Sequence, residues 1–195
     1  RAMQSTQIAN QVTLFNSYNL AAKGLVNSAL IDHFKKTNYQ DTVVIAGFGL
    51  FGQTILEELQ INAGDEIDLV AIVDKQAHRR VQIVDEQQKS GAFYERKIYQ
   101  GDTTHPDVWR KLTGDIDLSR GEPVVIMGTG DSANNLRTAL WIKQKYNNAL
   151  IFVRTNDTSE FAQAVGKEHG VHCISITRLV EDNIPLEWTR LDQLV

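Results

Sequence analysis

The chain has 195 residues, 42% of them hydrophobic and 23% charged, which is the composition of one globular domain with room for an appendage. Its 20 Lys and Arg against 24 Asp and Glu give a net charge of −4, which argues against a mainly electrostatic nucleic-acid binder. The single cysteine, Cys173, excludes an internal disulfide and a Cys-rich zinc site, and it is compatible with a reducing compartment.

Residues 4–36 predict one long helix. Ile8, Val12, Phe15, Ala22, Val26 and Ala29 form an apolar seam at spacings of three, four and seven. Leu14, Leu25 and Phe34 widen it. Such a helix either packs on its own domain or serves as a connector, so residues 1–38 are expected to form an N-terminal helical connector. The chain opens Arg1-Ala2-Met3, which reads as a piece of a longer protein. No apolar run approaches the ~20 residues needed to cross a bilayer.

From Asp41 the texture changes. Thr42–Ala46 is a β-branched buried strand, and residues 53–61 a helix. Asp68–Val73 is a second strand ending at Asp74, followed by a surface helix over 76–89. Lys97–Tyr99 is a short strand leading to Gly101-Asp102. His105–Leu112 is a short helix with Pro106 in its first turn. Val124–Met127 is a strand, and Asp131 or Ser132 caps a helix running to Tyr146. Leu150–Val153, a helix over Ser159–His169 and a last strand His172–Ile176 complete the pattern. Six strands alternating with helices predict an α/β, Rossmann-like doubly wound parallel sheet over residues 39–177. Residues 178–195 are expected to be a tail that docks on this domain or on a partner.

Gly47, Gly49 and Gly52 form G-x-G-x-x-G between the first strand and its helix, with Phe48, Leu50 and Phe51 at the variable positions. A carboxylate, Asp74, closes the second strand about 20 residues further on. Gly47 suits a tight turn, Gly49 a close approach of backbone to a pyrophosphate, and Gly52 close packing of helix on strand. The helix N-terminus offers free N–H groups and a positive dipole end to phosphates. Asp74 can accept hydrogen bonds from ribose hydroxyls, which favours NAD(H) or an adenine mononucleotide over a 2′-phosphorylated dinucleotide. Lys75, His78, Arg79 and Arg80 could meet a phosphate but read better as a solvated basic helix start.

With these residues in place the chain resembles the TrkA-N or RCK domain, the cytosolic regulator of potassium channels and transporters. The glycine turn and Val73-Asp74-Lys75 carry its first half. Gly101-Asp102-Thr103, Asn134-Asn135 and Val153-Arg154 match its later motifs in order and spacing, over residues 41–177. Val171-His172-Cys173 departs from its usual small-acidic pair. The resemblance implies a pocket in which Gly47–Gly52 hold phosphates and Asp74 and Lys75 flank the adenosine ribose. Asp102 and Thr103, after Gly101, would lie beside the adenine. Gly128, Thr129 and Gly130 would approach the far half of a dinucleotide, with Arg154 near the phosphates or a dimer seam. It further implies NAD(H) or an adenine nucleotide (ATP, ADP or AMP) as ligand and a homodimer or higher ring. A membrane channel or transporter domain, in the same or a partner chain, would place the domain at the cytoplasmic face of a membrane.

No catalytic residue and no enzymatic activity are expected. A dehydrogenase needs a proton-transfer group and a substrate pocket, and little chain remains outside the nucleotide domain. His105 could be a base but reads better as a helix-start residue. His169-Gly170-Val171-His172 has a metal-like spacing without further ligands, so no metal is expected. The alternatives are an NAD(P)-dependent oxidoreductase fragment and a ligand-free Rossmann assembly scaffold.

Overall fold

The computed structural model describes residues 17–37, 41–87, 94–155 and 159–185. The expected helix start over residues 4–16, with Ile8, Val12, Leu14 and Phe15, and the tail beyond Pro185, with Trp188, lie outside them.

The strands are β1 (Asp41–Ala46), β2 (Ile67–Asp74), β3 (Glu95–Gln100), β4 (Val124–Met127), β5 (Leu150–Thr155) and β6 (His172–Ser175). They pair in parallel in the order β3-β2-β1-β4-β5-β6. Sequence neighbours thus run outward from β1 in one direction, and the chain then crosses to β4 and runs outward in the other. This doubly wound order opens a crevice between β1 and β4, at the carboxyl ends of the strands. The central strands are almost fully buried because helices cover both faces.

The alternation of side chains along each strand splits the core in two. Val43, Ile45, Val70, Ile72, Val124 and Ile126 face one layer. That layer contains α1, which is Ser17–Leu25, a π-helical turn Val26–Leu30 and a last stretch Ile31–Lys36, together with α2 (Leu50–Asn62) and α3 (Ala77–Gln87). It also contains α7 (Ile176–Asn183). Val44, Ala46, Ala71, Val73, Val125 and Met127 face the other layer, built by α4 (Pro106–Asp115), α5 (Ser132–Lys145) and α6 (Glu160–His169).

From Ser17 onward the apolar stripe of α1 is spent within the domain. Ala21, Ala22, Leu25, Val26, Leu30 and Phe34 are buried in the first layer. The segment after β6 is helical from Ile176, earlier than a tail starting at residue 178 implies. The Ser175 hydroxyl accepts from Arg178 N at 3.2 Å and starts α7 directly at the strand end. Val180 is buried with Leu179 and Ile176 packed beside it, and a Cβ on Gly24 of α1 would lie 2.2 Å from Asn183 Nδ2 of α7.

One buried carboxylate opposes this packing. Asp41, at the start of β1, is only 4% exposed and accepts from the Thr37 hydroxyl. Burial, above all, pushes its carboxyl above the ordinary 3.8, assisted by Glu122 and Glu66 and opposed by Thr37 and His33. A carboxyl whose pKa is raised on folding stabilises the fold below its unfolded pKa and loses that contribution as pH rises through the folded value. Asp41→Asn, which keeps an acceptor for Thr37, is therefore expected to melt higher than wild type at neutral pH. Thermal scans across pH should show the gap closing toward 3.8; a constant gap would mean that Asp41 ionisation is not its source.

Candidate functional site

The glycine turn leaves β1 with its geometry fixed by three contacts. Gly47 has φ +97°, a conformation that L side chains rarely adopt, and a Cβ there would lie 2.7 Å from Thr129 N. Gly47 N donates to Val73 O at 2.8 Å, and Phe48 N donates to Asp74 Oδ2 at 2.8 Å. Gly52, in the first turn of α2, packs directly on the turn, and a Cβ there would come within 2.3 Å of Gly47 O. Gly49 differs. A Cβ on it would point into open space, with only Arg80 Nη1 at 3.7 Å. The first N–H groups of α2 have no intrahelical acceptor, as at any helix start, and they border this space.

Asp74 is 8% exposed. Its Oδ2 accepts from Phe48 N and from Arg80 Nη1 at 2.9 Å, and its Oδ1 accepts from Gln76 N at 2.8 Å. The carboxylate therefore staples the glycine turn to the start of the β2–α3 connection. Arg80 is not a solvated residue of a basic helix start, because its guanidinium reaches back from α3 to pair with Asp74.

The third turn, after β3, carries Asp102. Its Oδ1 accepts from Thr104 N at 2.9 Å and Thr104 Oγ1 at 2.7 Å, and its Oδ2 lies 3.0 Å from Lys75 Nζ. The Thr104 hydrogen bonds, with Lys75 adding to them, hold the Asp102 carboxyl down at about 2, so it is ionised at neutral pH. Buried Trp109 donates its indole N–H to Thr103 O at 2.8 Å and anchors this turn to α4.

The fourth turn follows β4. Asp131 caps α5, accepting from Asn134 N at 3.0 Å. Buried Asn135 donates to Thr129 O at 2.9 Å and to Arg154 O at 3.0 Å, and accepts from the Thr129 hydroxyl. It ties the Gly128–Gly130 turn to the end of β5. The Arg154 side chain projects over the Tyr18 ring at 5.7 Å, and Tyr18 in turn lies 6.3 Å from Phe51.

These turns enclose a cleft of about 560 Å³ at the carboxyl ends of the strands. Gly47, Gly49, Leu50, Phe51, Asp74, Lys75, Asp102, Thr103, Gly128, Thr129, Gly130 and Arg154 line it. Three expected residues serve it from behind. Phe48 has a buried side chain and contributes its N–H, Gly52 lies beneath the turn, and Gly101 donates its N–H to Asp74 O at 3.0 Å. The lining also includes residues that sequence reasoning did not single out for it, among them Tyr18, Gln76, Thr104 and Asp131. Tyr18 carried no signal for the cleft, being one partly buried position of a long helix. Asp131 carried only its capping role.

Other candidates lie elsewhere. His105 is not in the cleft lining; its Nδ1 accepts from Asp107 N at 3.3 Å and caps α4. His172 stacks on Phe152 at 5.2 Å, and among the described residues no group of three His, Cys, Asp or Glu could hold a metal. Cys173 is half-buried, and burial pushes its thiol pKa up, away from reactive thiolate character. Among the described residues no helix is long and apolar enough to cross a membrane.

The cleft fits a nucleotide in size, since small-ligand sites span ~300–1,000 Å³. It also fits in kind, offering a bare backbone at Gly49, a helix N-terminus, and carboxylates at the ends of the second and third strands. Comparison with solved structures returns the short chain alcohol dehydrogenase rspB from E. coli CFT073, complexed with its cofactor NADH. The similarity has 17% identity and a TM-score of 0.41, covering 88% of this chain and 48% of that one, so the chain spans about half the length of that enzyme. No curated protein matches the chain. The family model of the TrkA-N domain matches residues 43–175, from β1 to the end of β6 and through every turn of the cleft, and the chain belongs to the TrkA-N domain family.

Proposed function

We propose that this chain is a nucleotide-sensing regulatory domain of a potassium channel or transport system, with NAD(H) or another adenine nucleotide as its signal. The observation that carries the reading is the convergence of four turns on one cleft, with Gly49 leaving open backbone where a pyrophosphate would lie. The glycine turn and the N-terminus of α2 would take the phosphates, Asp74 the adenosine ribose, and Asp102 with Thr103 the adenine edge. Thr129 and Arg154 would meet the distal half of a dinucleotide.

Regulation would act through the wall that α1 contributes. Tyr18 belongs to α1, and its ring lies against Arg154 and near Phe51. A ligand touching Arg154 or the Phe51 turn would alter what α1 packs on. A ligand shifts such an equilibrium only as far as it prefers one arrangement. In this reading the domain pairs with a second copy, or builds a ring, beneath a membrane pore in the same or a partner chain.

Thermal-shift and calorimetric titration with NAD, NADH, NADPH, ATP, ADP, AMP and calcium tests the proposal, with Asp74→Ala as control. A ligand at 100 times its Kd stabilises the native state by about 2.7 kcal/mol. For a chain of this length that is a rise in Tm of roughly 5–11 °C. At least one adenine nucleotide should give it, and Asp74→Ala should abolish it. Were none to bind, the pairing of Asp74 with Arg80 would mark a cleft closed on itself, and the assembly-scaffold reading would replace this one.

A further inference from the structure

We propose that Arg80 equips the cleft to take a phosphate on the adenosine ribose, so that a 2′-phosphorylated dinucleotide binds about as well as its unphosphorylated counterpart. The proposal rests on the nucleotide reading of the cleft and bears on which nucleotide the site takes.

A carboxylate at the end of the second strand ordinarily selects against a 2′-phosphate, because two anions would meet. In this chain the carboxylate is already compensated. Asp74 accepts from two backbone N–H groups and from the Arg80 guanidinium at 2.9 Å. Its side chain is 11% exposed whereas that of Arg80 is 34% exposed, so a group arriving from solvent meets the cation more readily than the anion.

The position of Arg80 adds to this. Its Nη1 lies 3.7 Å from the point where a Gly49 side chain would begin, so the guanidinium spans from the ribose carboxylate to the phosphate turn. The turn from Gly47 to Gln53 has no cation of its own, and of the two residues between its second and third glycines Leu50 is exposed and Phe51 buried. The neighbouring cation, Lys75, is engaged with Asp102. Arg80 is the cation at the ribose end that reaches both Asp74 and the phosphate turn. A guanidinium has five donors in a planar fork suited to phosphate, and the bond to Asp74 uses one of them.

The test is calorimetric titration of NADH, NADPH, 5′-AMP and 2′,5′-ADP into wild type, Arg80→Met and Arg80→Gln, with melting scans to establish that each variant is folded. In wild type the NADPH and NADH Kd values should agree within tenfold. In both variants the ratio of the NADPH to the NADH Kd, and that of the 2′,5′-ADP to the 5′-AMP Kd, should each rise at least tenfold, whatever change the members of a pair share. A wild-type preference for NADH above tenfold, or equal changes for both members of each pair, would overturn the role of Arg80 while leaving the nucleotide site standing. If none of the four binds wild type, the nucleotide reading itself falls, and this inference falls with it.

Discussion

Gly52→Ala should lower the melting temperature by roughly 6–12 °C, whereas Gly49→Ala should move it by no more than about 4 °C and yet abolish nucleotide binding. The two glycines belong to one turn and are three residues apart, but they face different things. A Cβ on Gly52 would meet Gly47 O at 2.3 Å and Ile45 Cγ2 at 3.1 Å. Neither can yield cheaply, since Gly47 is held by its positive φ and by its bond to Val73 O, and Ile45 is fully buried in β1. Overpacking of this kind costs about 3 kcal/mol. Helix α2 would have to lift from the sheet, carrying Phe51, Ile55 and Leu59 with it.

Gly49 has φ −74° and ψ −166°, which alanine adopts freely, and its nearest prospective contact is ordinary van der Waals distance from Arg80. The remaining cost is that alanine is a poorer N-cap than glycine, about 1 kcal/mol or less. The methyl group would instead occupy the space assigned to the phosphates. Circular dichroism melts of both variants, with NADH titration of Gly49→Ala, check the pair. A Gly52→Ala protein as stable as wild type would mean that α2 can shift at little cost. Undiminished binding by Gly49→Ala would place the phosphates elsewhere.

The contrast also indicates how far the sequence could be read. The strands were legible because parallel strands buried on both faces appear as uninterrupted runs such as Val124–Met127, which matches β4 residue for residue. The glycine turn was legible because its spacing reflects steric needs local to one strand and one helix. Arg80 was not, because whether a basic residue six positions after Asp74 is solvated or reaches back depends on how α3 packs on the sheet. Tyr18 was less legible still, since its place in the cleft results from α1 folding back on α2 and α7, a contact between distant segments. Helix α7 had a faint local signal, Ser175 as cap with Ile176, Leu179 and Val180 at helical spacing. The expected strand His172–Ile176 overran its first residue.

Asn135→Ala is expected to have the other large effect, about 3 kcal/mol of stability, because it strips a buried junction rather than a single bond. Asn135 is 1% exposed. Its amide donates to Thr129 O and Arg154 O, and its carbonyl accepts from the Thr129 hydroxyl. Alanine would leave these partners without the amide in a site too enclosed for easy solvation, and a buried acceptor left unpaired costs about 1–3 kcal/mol. Asn135→Asp should be no milder, since its carboxylate cannot donate and would face the same two carbonyl oxygens. The functional consequence is selective. The Gly128–Gly130 turn would lose its tie to β5, whereas the Asp74 contacts, at the end of β2, do not involve that turn. Under the proposed function, NADH affinity should therefore fall at least tenfold while AMP affinity changes less than threefold. Titrations of both ligands at a temperature well below the variant's Tm separate the cases. Parallel losses for NADH and AMP would mean that Asn135 acts on the whole cleft, and unchanged stability would mean that the two carbonyls find other donors when its amide is gone.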